Sequence, residues 1–68
     1  MKFEIGNTYR AFGRYDSYYD FKVTKRTKTF VTVQNAKGEE FKKKIMNWSK
    51  DEEIEIGELT LSASELAA

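Results

Sequence analysis

The stretch that decides the fold is Phe30-Val31-Thr32-Val33-Gln34-Asn35-Ala36-Lys37-Gly38-Glu39-Glu40-Phe41-Lys42-Lys43-Lys44-Ile45. Its first five residues are aromatic and β-branched, the composition of a pleated, half-buried strand. Asn35 starts a type I turn well, and Gly38 accepts the positive φ of a bulged hairpin. The return strand is expected over 39–46, with Phe41 and Ile45 on one face and Lys42 and Lys44 on the other. The run thus reads as a β-hairpin.

Working outward, Phe21-Lys22-Val23-Thr24-Lys25 alternates in the same way, with Phe21 and Val23 inward. Arg26-Thr27-Lys28 links it to Phe30 by a tight turn without glycine, so 21–46 reads as a three-stranded antiparallel meander. Glu53-Ile54-Glu55-Ile56 and Leu59-Thr60-Leu61-Ser62 alternate again around a turn at Gly57-Glu58. Ser49 followed by Glu52 has the spacing of a capping box and predicts one helical turn, with Trp48 packed inward before it. Ser62 with Glu65 predicts a second short turn, or a frayed tail. At the other end, 2–5 alternates, with Phe3 and Ile5 inward. Gly6-Asn7 turns the chain, and 8–19 reads as a long, partly paired excursion.

The chain has 68 residues, room for one core, and is read as a single domain over 1–68. Aromatics at 15% argue against intrinsic disorder. Five or six short strands in this length need closure, because open edges invite pairing. The expected fold is mostly β: a small SH3-like antiparallel barrel of five or six strands with at most one short helical turn. A five-stranded OB-like barrel is the alternative, but it usually needs more residues. The expected core is Phe3, Ile5, Phe21, Val23, Val31, Val33, Phe41, Ile45, Trp48, Ile54, Ile56, Leu59 and Leu61.

The run from Phe21 to Val33, with Gly38 and Lys43-Lys44-Ile45 after it, resembles a pattern in small uncharacterised proteins of bacterial, phage and mobile-element genomes. Their motif is F-x-V-x-K-R-T-x-x-F-V-T, then a turn glycine and a basic strand. The match covers 21–45, and Lys25-Arg26-Thr27 and Phe30-Val31-Thr32 are its specific part. The resemblance implies a compact β protein of phage or mobile-element accessory type, and no chemistry.

Composition removes whole classes of function. There is no histidine, cysteine or proline. Disulfides and Cys/His zinc sites are excluded, and so are the usual general base and thiol nucleophile. No stretch reaches the ~20 apolar residues of a membrane span, and the start lacks a signal-type apolar run, so a cytoplasmic location is expected. The pairs Asp16 with Asp20 and Glu53 with Glu55 read as turn and outward-strand residues rather than as catalytic carboxylates. Asp51-Glu52-Glu53 lacks the spaced ligands of a calcium loop. The reading is therefore a non-enzymatic module without metal or cofactor.

Charge is the remaining signal. The net charge is +1, but residues 22–44 carry eight basic residues against Glu39 and Glu40, whereas 51–65 carry six acidic residues and no basic one. The local field matters more than the sum. Lys22 and Arg26 are expected to project from one strand and Lys42 and Lys44 from another, forming a positive stripe if the faces coincide. Tyr15, Tyr18 and Tyr19 lie in the long loop and could stack bases. These seven residues are the candidate binding set. A protein partner is placed ahead of a single-stranded nucleic acid, because SH3-like barrels hold peptides with loop aromatics. Here those would be Tyr9, Tyr15, Tyr18, Tyr19 and Trp48, with Asp16 and Asp20 as partners for a basic group. The bland reading of the lysines is a solvated sheet surface. A monomer or a weak edge-to-edge homodimer is expected, through 53–56 or 2–5.

Overall fold

The computed structural model describes residues 1–13, 15, 17–47 and 50–67. It is all-β, with no helix among the described residues. The strands are β1 (Thr8–Phe12), β2 (Tyr18–Arg26), β3 (Phe30–Gln34), β4 (Glu40–Lys44), β5 (Glu53–Ile56) and β6 (Leu59–Ser62). The first four form an antiparallel meander in the order β1-β2-β3-β4, and β5 and β6 form a separate hairpin.

The expected meander over 21–46 is present, and the β3–β4 turn has the anticipated chemistry. The Asn35 side-chain oxygen accepts the amides of Lys37 and Glu39, and Gly38 sits at φ 88°. At the glycine-free turn, the Phe30 amide donates to the Thr27 hydroxyl, 3.1 Å. The excursion over 8–19 is more regular than its sequence suggests. It contains β1 and the start of β2, paired from Thr8↔Lys22 to Phe12↔Tyr18.

The core lies between the inner face of the meander and the hairpin. Phe3, Tyr9, Ala11, Phe21, Val23, Val31, Val33 and Ile45 meet Ile54, Ile56, Leu61 and Ala63, with Phe41 and Leu59 packed partly against them. Two expectations are corrected here. Segment 2–5 is not a strand, and Ile5 is 62% exposed. The Asn7 amide bonds back to the Glu4 carbonyl and Gly6 takes φ 94°, so a turn swings Ile5 out of the alternation. Tyr9, expected as a ligand-facing ring, is 1% exposed and packs edge-on against Phe3 at 5.0 Å. Its hydroxyl accepts the Glu4 amide at 2.9 Å, which makes that burial affordable. Trp48 and Ser49 lie outside the described residues; Lys50 and Asp51 form a bend.

The two sheets do not form one continuous ladder. They are stitched at two places: Met46 bridges Glu53 where β4 gives way to β5, and Leu66 bridges Tyr9 on β1. The tail is neither helical nor frayed at that second stitch. The Arg10 amide donates to the Glu65 carbonyl at 2.8 Å, and the Ala67 amide to Thr8 at 3.0 Å. A fully closed SH3-like barrel is therefore not what the described hydrogen bonds draw.

Candidate binding face

A single irregularity decides which cations share a face. The β2–β3 register runs Lys22↔Gln34 and Val23↔Val33, then shifts at a bulge so that Lys25 faces Thr32 and Arg26 faces Val31. Without the shift, Lys22, Thr24 and Arg26 would all point outward. The extra residue at Thr24 reverses the alternation beyond it. Lys25 is left on the outer face and Arg26 turns toward the core side with Val31.

There Arg26 meets Glu52. Its guanidinium donates to both Glu52 carboxylate oxygens, 2.8 and 3.1 Å, and to the Phe3 carbonyl, 2.6 Å. Glu52 is buried and also accepts the Phe3 amide at 2.8 Å. The Arg26 hydrogen bond holds the Glu52 carboxyl below the usual glutamate value, with the Phe3 amide adding to it against the opposing effect of burial. The same bond raises the Arg26 guanidinium. Arg26 is thus a structural cation, not a free ligand contact. Glu52, expected to start a helical turn, is its partner instead.

The register orders the outer face into rows. Phe12 lies opposite Tyr18 and Arg10 opposite Asp20. Thr8, Lys22, Gln34 and Glu40 form a row across all four strands. Lys25, Thr32 and Lys42 form the next row, followed by Phe30 with Lys44. Of the predicted cations, Lys22, Lys42 and Lys44 share this face and Arg26 does not; Lys25 takes its place. No salt bridge holds Lys22, Lys25, Lys42 or Lys44 among the described residues. Phe30 is 38% exposed, with the Lys42 ammonium 5.1 Å from its ring centre. Lys25, Arg26, Thr27, Phe30, Thr32 and Lys42 line a shallow depression of about 270 Å³.

The tyrosines do not form one platform: Tyr18 and Tyr19 line a depression of about 380 Å³ with Asp20, Phe21, Asn35, Ala36 and Lys37, and Tyr15 and Tyr19 line a separate cleft. Tyr18 is on the outer face, with the Arg10 guanidinium 3.9 Å above its ring. Arg10 also grips Asp20 through two bonds, 2.8 and 3.2 Å, so Asp20 is taken and sits below the usual aspartate value. Tyr19 pairs with buried Ala11 and belongs to the opposite face. With Phe12, Gly13, Tyr15, Ser17, Glu58 and Leu59 it lines a cleft of about 740 Å³ at the end of the molecule. Tyr15 is 95% exposed, at φ 57°. Asp16 lies outside the described residues.

Sequence reasoning missed Lys25 and Phe30. The Phe30–Lys42 proximity follows from the β3–β4 register, which the turn chemistry already implied. The Lys25 position depends on the bulge, for which the sequence carries no glycine or other flag. The acidic block falls elsewhere: Glu53 and Glu55 are opposite Ser62 and Thr60 on the hairpin. Among the described residues no group of three or more metal-ligating side chains gathers. No family model matches the chain, no curated protein matches it, and no solved structure matches it.

Proposed function

We propose that the chain is a non-enzymatic binding module whose outer sheet face takes a single-stranded nucleic acid. The observation that carries this reading is the Lys25–Thr32–Lys42 row with Phe30 and Lys44 beside it. Four lysines on one face, counting Lys22, are held by no salt bridge among the described residues, and an exposed ring lies among them. A solvated surface explains lysines alone. Phe30 adds a partly exposed ring among them, whose π face suits a base. Phosphates on the lysines and a base on Phe30 use both features at once.

The architecture is read with it. The Met46–Glu53 and Tyr9–Leu66 bridges support an incompletely closed SH3-like barrel, with the meander as its exposed wall. The motif in 21–45 supports a phage or mobile-element accessory role.

The test is a fluorescence-anisotropy titration with a labelled single-stranded oligonucleotide. If about four phosphates are neutralised, log K falls with log salt at a slope of about −3, roughly 50-fold between 50 and 200 mM. Replacing Lys25, Lys42 and Lys44 together by glutamine flattens that slope to about −1. No binding at tens of micromolar protein in ~50 mM salt ends this reading.

A protein partner is the second reading, carried by the cleft of Phe12, Tyr15, Tyr19 and Leu59 beside Glu58. A peptide with an apolar and a basic residue fits that lining. Amide-shift mapping with such a peptide separates the two, because a cleft ligand shifts Gly13, Tyr19 and Leu59, whereas a ligand of the lysine rows shifts Lys25, Thr32 and Lys42.

A further inference from the structure

We infer that the outer face is a two-station track: Phe30 with the lysines is the primary station for a nucleotide, and Tyr18 at the far end is a second station that only a longer strand reaches. This rests on the nucleic-acid reading of that face and adds a length and a polarity of strength to it.

The two ends repeat one local arrangement. At each, an exposed ring carries a cation: Lys42 lies 5.1 Å from the Phe30 centre and Arg10 lies 3.9 Å from the Tyr18 centre. Phe12, 63% exposed, stands opposite Tyr18 and widens that platform. A ring beside a cation offers a base its stacking surface and the adjoining phosphate its counter-charge. Between the stations the face carries only polar and charged residues: Arg10–Asp20, then Thr8–Lys22–Gln34–Glu40, then Lys25–Thr32–Lys42. The rings are four outward positions apart along the strands, about 27 Å at strand rise, within the molecule's 32 Å length. That span matches the short end of the range for small β nucleic-acid domains, about 4–6 nucleotides.

The stations are unequal. Around Phe30, Lys25, Lys42 and Lys44 are held by no salt bridge among the described residues. Beside Tyr18, Arg10 spends its Nε and Nη2 on Asp20. The Phe30 station therefore captures charge and a base, whereas the Tyr18 station adds mainly stacking. A short strand settles at Phe30, and a longer one extends over Lys22 toward Tyr18.

The experiment is an amide NMR titration at ~50 mM salt with oligothymidylates of about 3 and about 8 nucleotides. It compares wild type, Phe30→Leu and Tyr18→Leu, with Tyr18→Thr as a second non-aromatic variant that suits a strand. Far-ultraviolet dichroism confirms that each is folded. The short strand is expected to shift the rows of Phe30 and Lys42 alone, and the long strand also those of Arg10 and Tyr18. Phe30→Leu weakens both strands by about 5-fold or more. Tyr18→Leu and Tyr18→Thr weaken the long strand by a similar factor and leave the short one unchanged. If lysine-dependent binding persists but the Tyr18 variants hold the long strand as tightly as wild type, the second station does not exist and the basic-face reading stands. If neither strand binds the wild type, the basic-face reading fails and the track fails with it.

Discussion

Arg26 and Glu52, 26 residues apart in sequence, face each other through two hydrogen bonds of 2.8 and 3.1 Å. Their contact joins three segments that share no strand ladder. Arg26 ends β2, Phe3 belongs to the amino-terminal segment, and Glu52 precedes β5. Phe3 donates to Glu52 and accepts from Arg26, while the Glu52 carbonyl accepts the Ala63 amide at 2.9 Å. Charge assistance strengthens such bonds, and the low local dielectric makes each partner depend on the other.

Removing one partner is expected to destabilise more than removing both. Glu52→Leu leaves Arg26 facing a nonpolar wall and strands the Phe3 amide. The expected loss is on the order of 3 kcal/mol, since breaking a buried pair leaves an uncompensated charge. A domain this small has roughly 3–5 kcal/mol in total, so the variant unfolds substantially at room temperature. Arg26→Met with Glu52→Leu recovers part of that loss. Urea denaturation of both singles and the double tests the coupling; strict additivity rejects it.

Acid is expected to weaken the fold through the same carboxylate. Glu52 titrates lower in the folded chain than in the unfolded one because Arg26 and the Phe3 amide favour its charged form. Its contribution is therefore fully present above the ordinary glutamate value and is lost as pH falls through the depressed folded value. Asp20, lowered by Arg10, acts in the same direction. Glu52→Gln isolates the first effect. It is less stable than wild type at pH 7, and the gap narrows toward pH 3, where wild-type Glu52 is increasingly protonated. Melting temperatures of the two chains across that range test it, and a gap independent of pH refutes the assignment.

Deleting the half-buried Thr24 is expected to leave the Arg26–Glu52 contact in place. Its Oγ bonds Thr32 and Glu40 only at 3.4 and 3.2 Å. It is the inserted residue of the bulge, so its loss leaves Lys25 directly after Val23, and plain alternation keeps Lys25 outward opposite Thr32 and Arg26 inward opposite Val31, beside Glu52. The expected cost is about 1 kcal/mol, from two weak hydrogen bonds, close to that of Thr24→Val, and a loss as large as that of Glu52→Leu refutes the assignment of Thr24 as the inserted residue. Dichroism and thermal melts of the two variants compare them directly.

The bulge also marks where the sequence stops being readable. Alternation and turn chemistry locate β3, β4, β5 and β6 to within a residue or two, because each strand buries one face and Asn35, Gly38 and Gly57 sit at the turns. Pattern alone assigns Arg26 to the outside, since period-two counting assumes no inserted residue. Tyr9 and Ile5 exchange roles for a related reason. The turn at Gly6 resets the phase, placing an aromatic with a satisfied hydroxyl where an aliphatic was expected. Of the candidate site, Lys22, Lys42 and Lys44 were legible as outward strand positions, whereas Tyr18 was expected in a loop and lies on β2. Lys25 and Phe30 needed the register, and the Arg26–Glu52 contact needed the fold.

A two-bond stitch holds the tail to β1. Ala67 donates its amide to Thr8 and Glu65 accepts from Arg10, so the tail covers an edge that would otherwise carry free backbone groups. Ala67→Pro removes the first donor without touching a buried side chain. One lost hydrogen bond is worth about 1 kcal/mol. The effect is expected to spread, because releasing the tail also frees the Arg10 amide from Glu65. Hydrogen exchange at Arg10 should then accelerate markedly while Val23 and Val33 in the core retain their protection. Unchanged exchange at Arg10 would mean that the Glu65 contact holds alone. Increased self-association of the variant is the second expected sign, because an uncovered β1 edge offers a partner chain the same bonds that the tail makes.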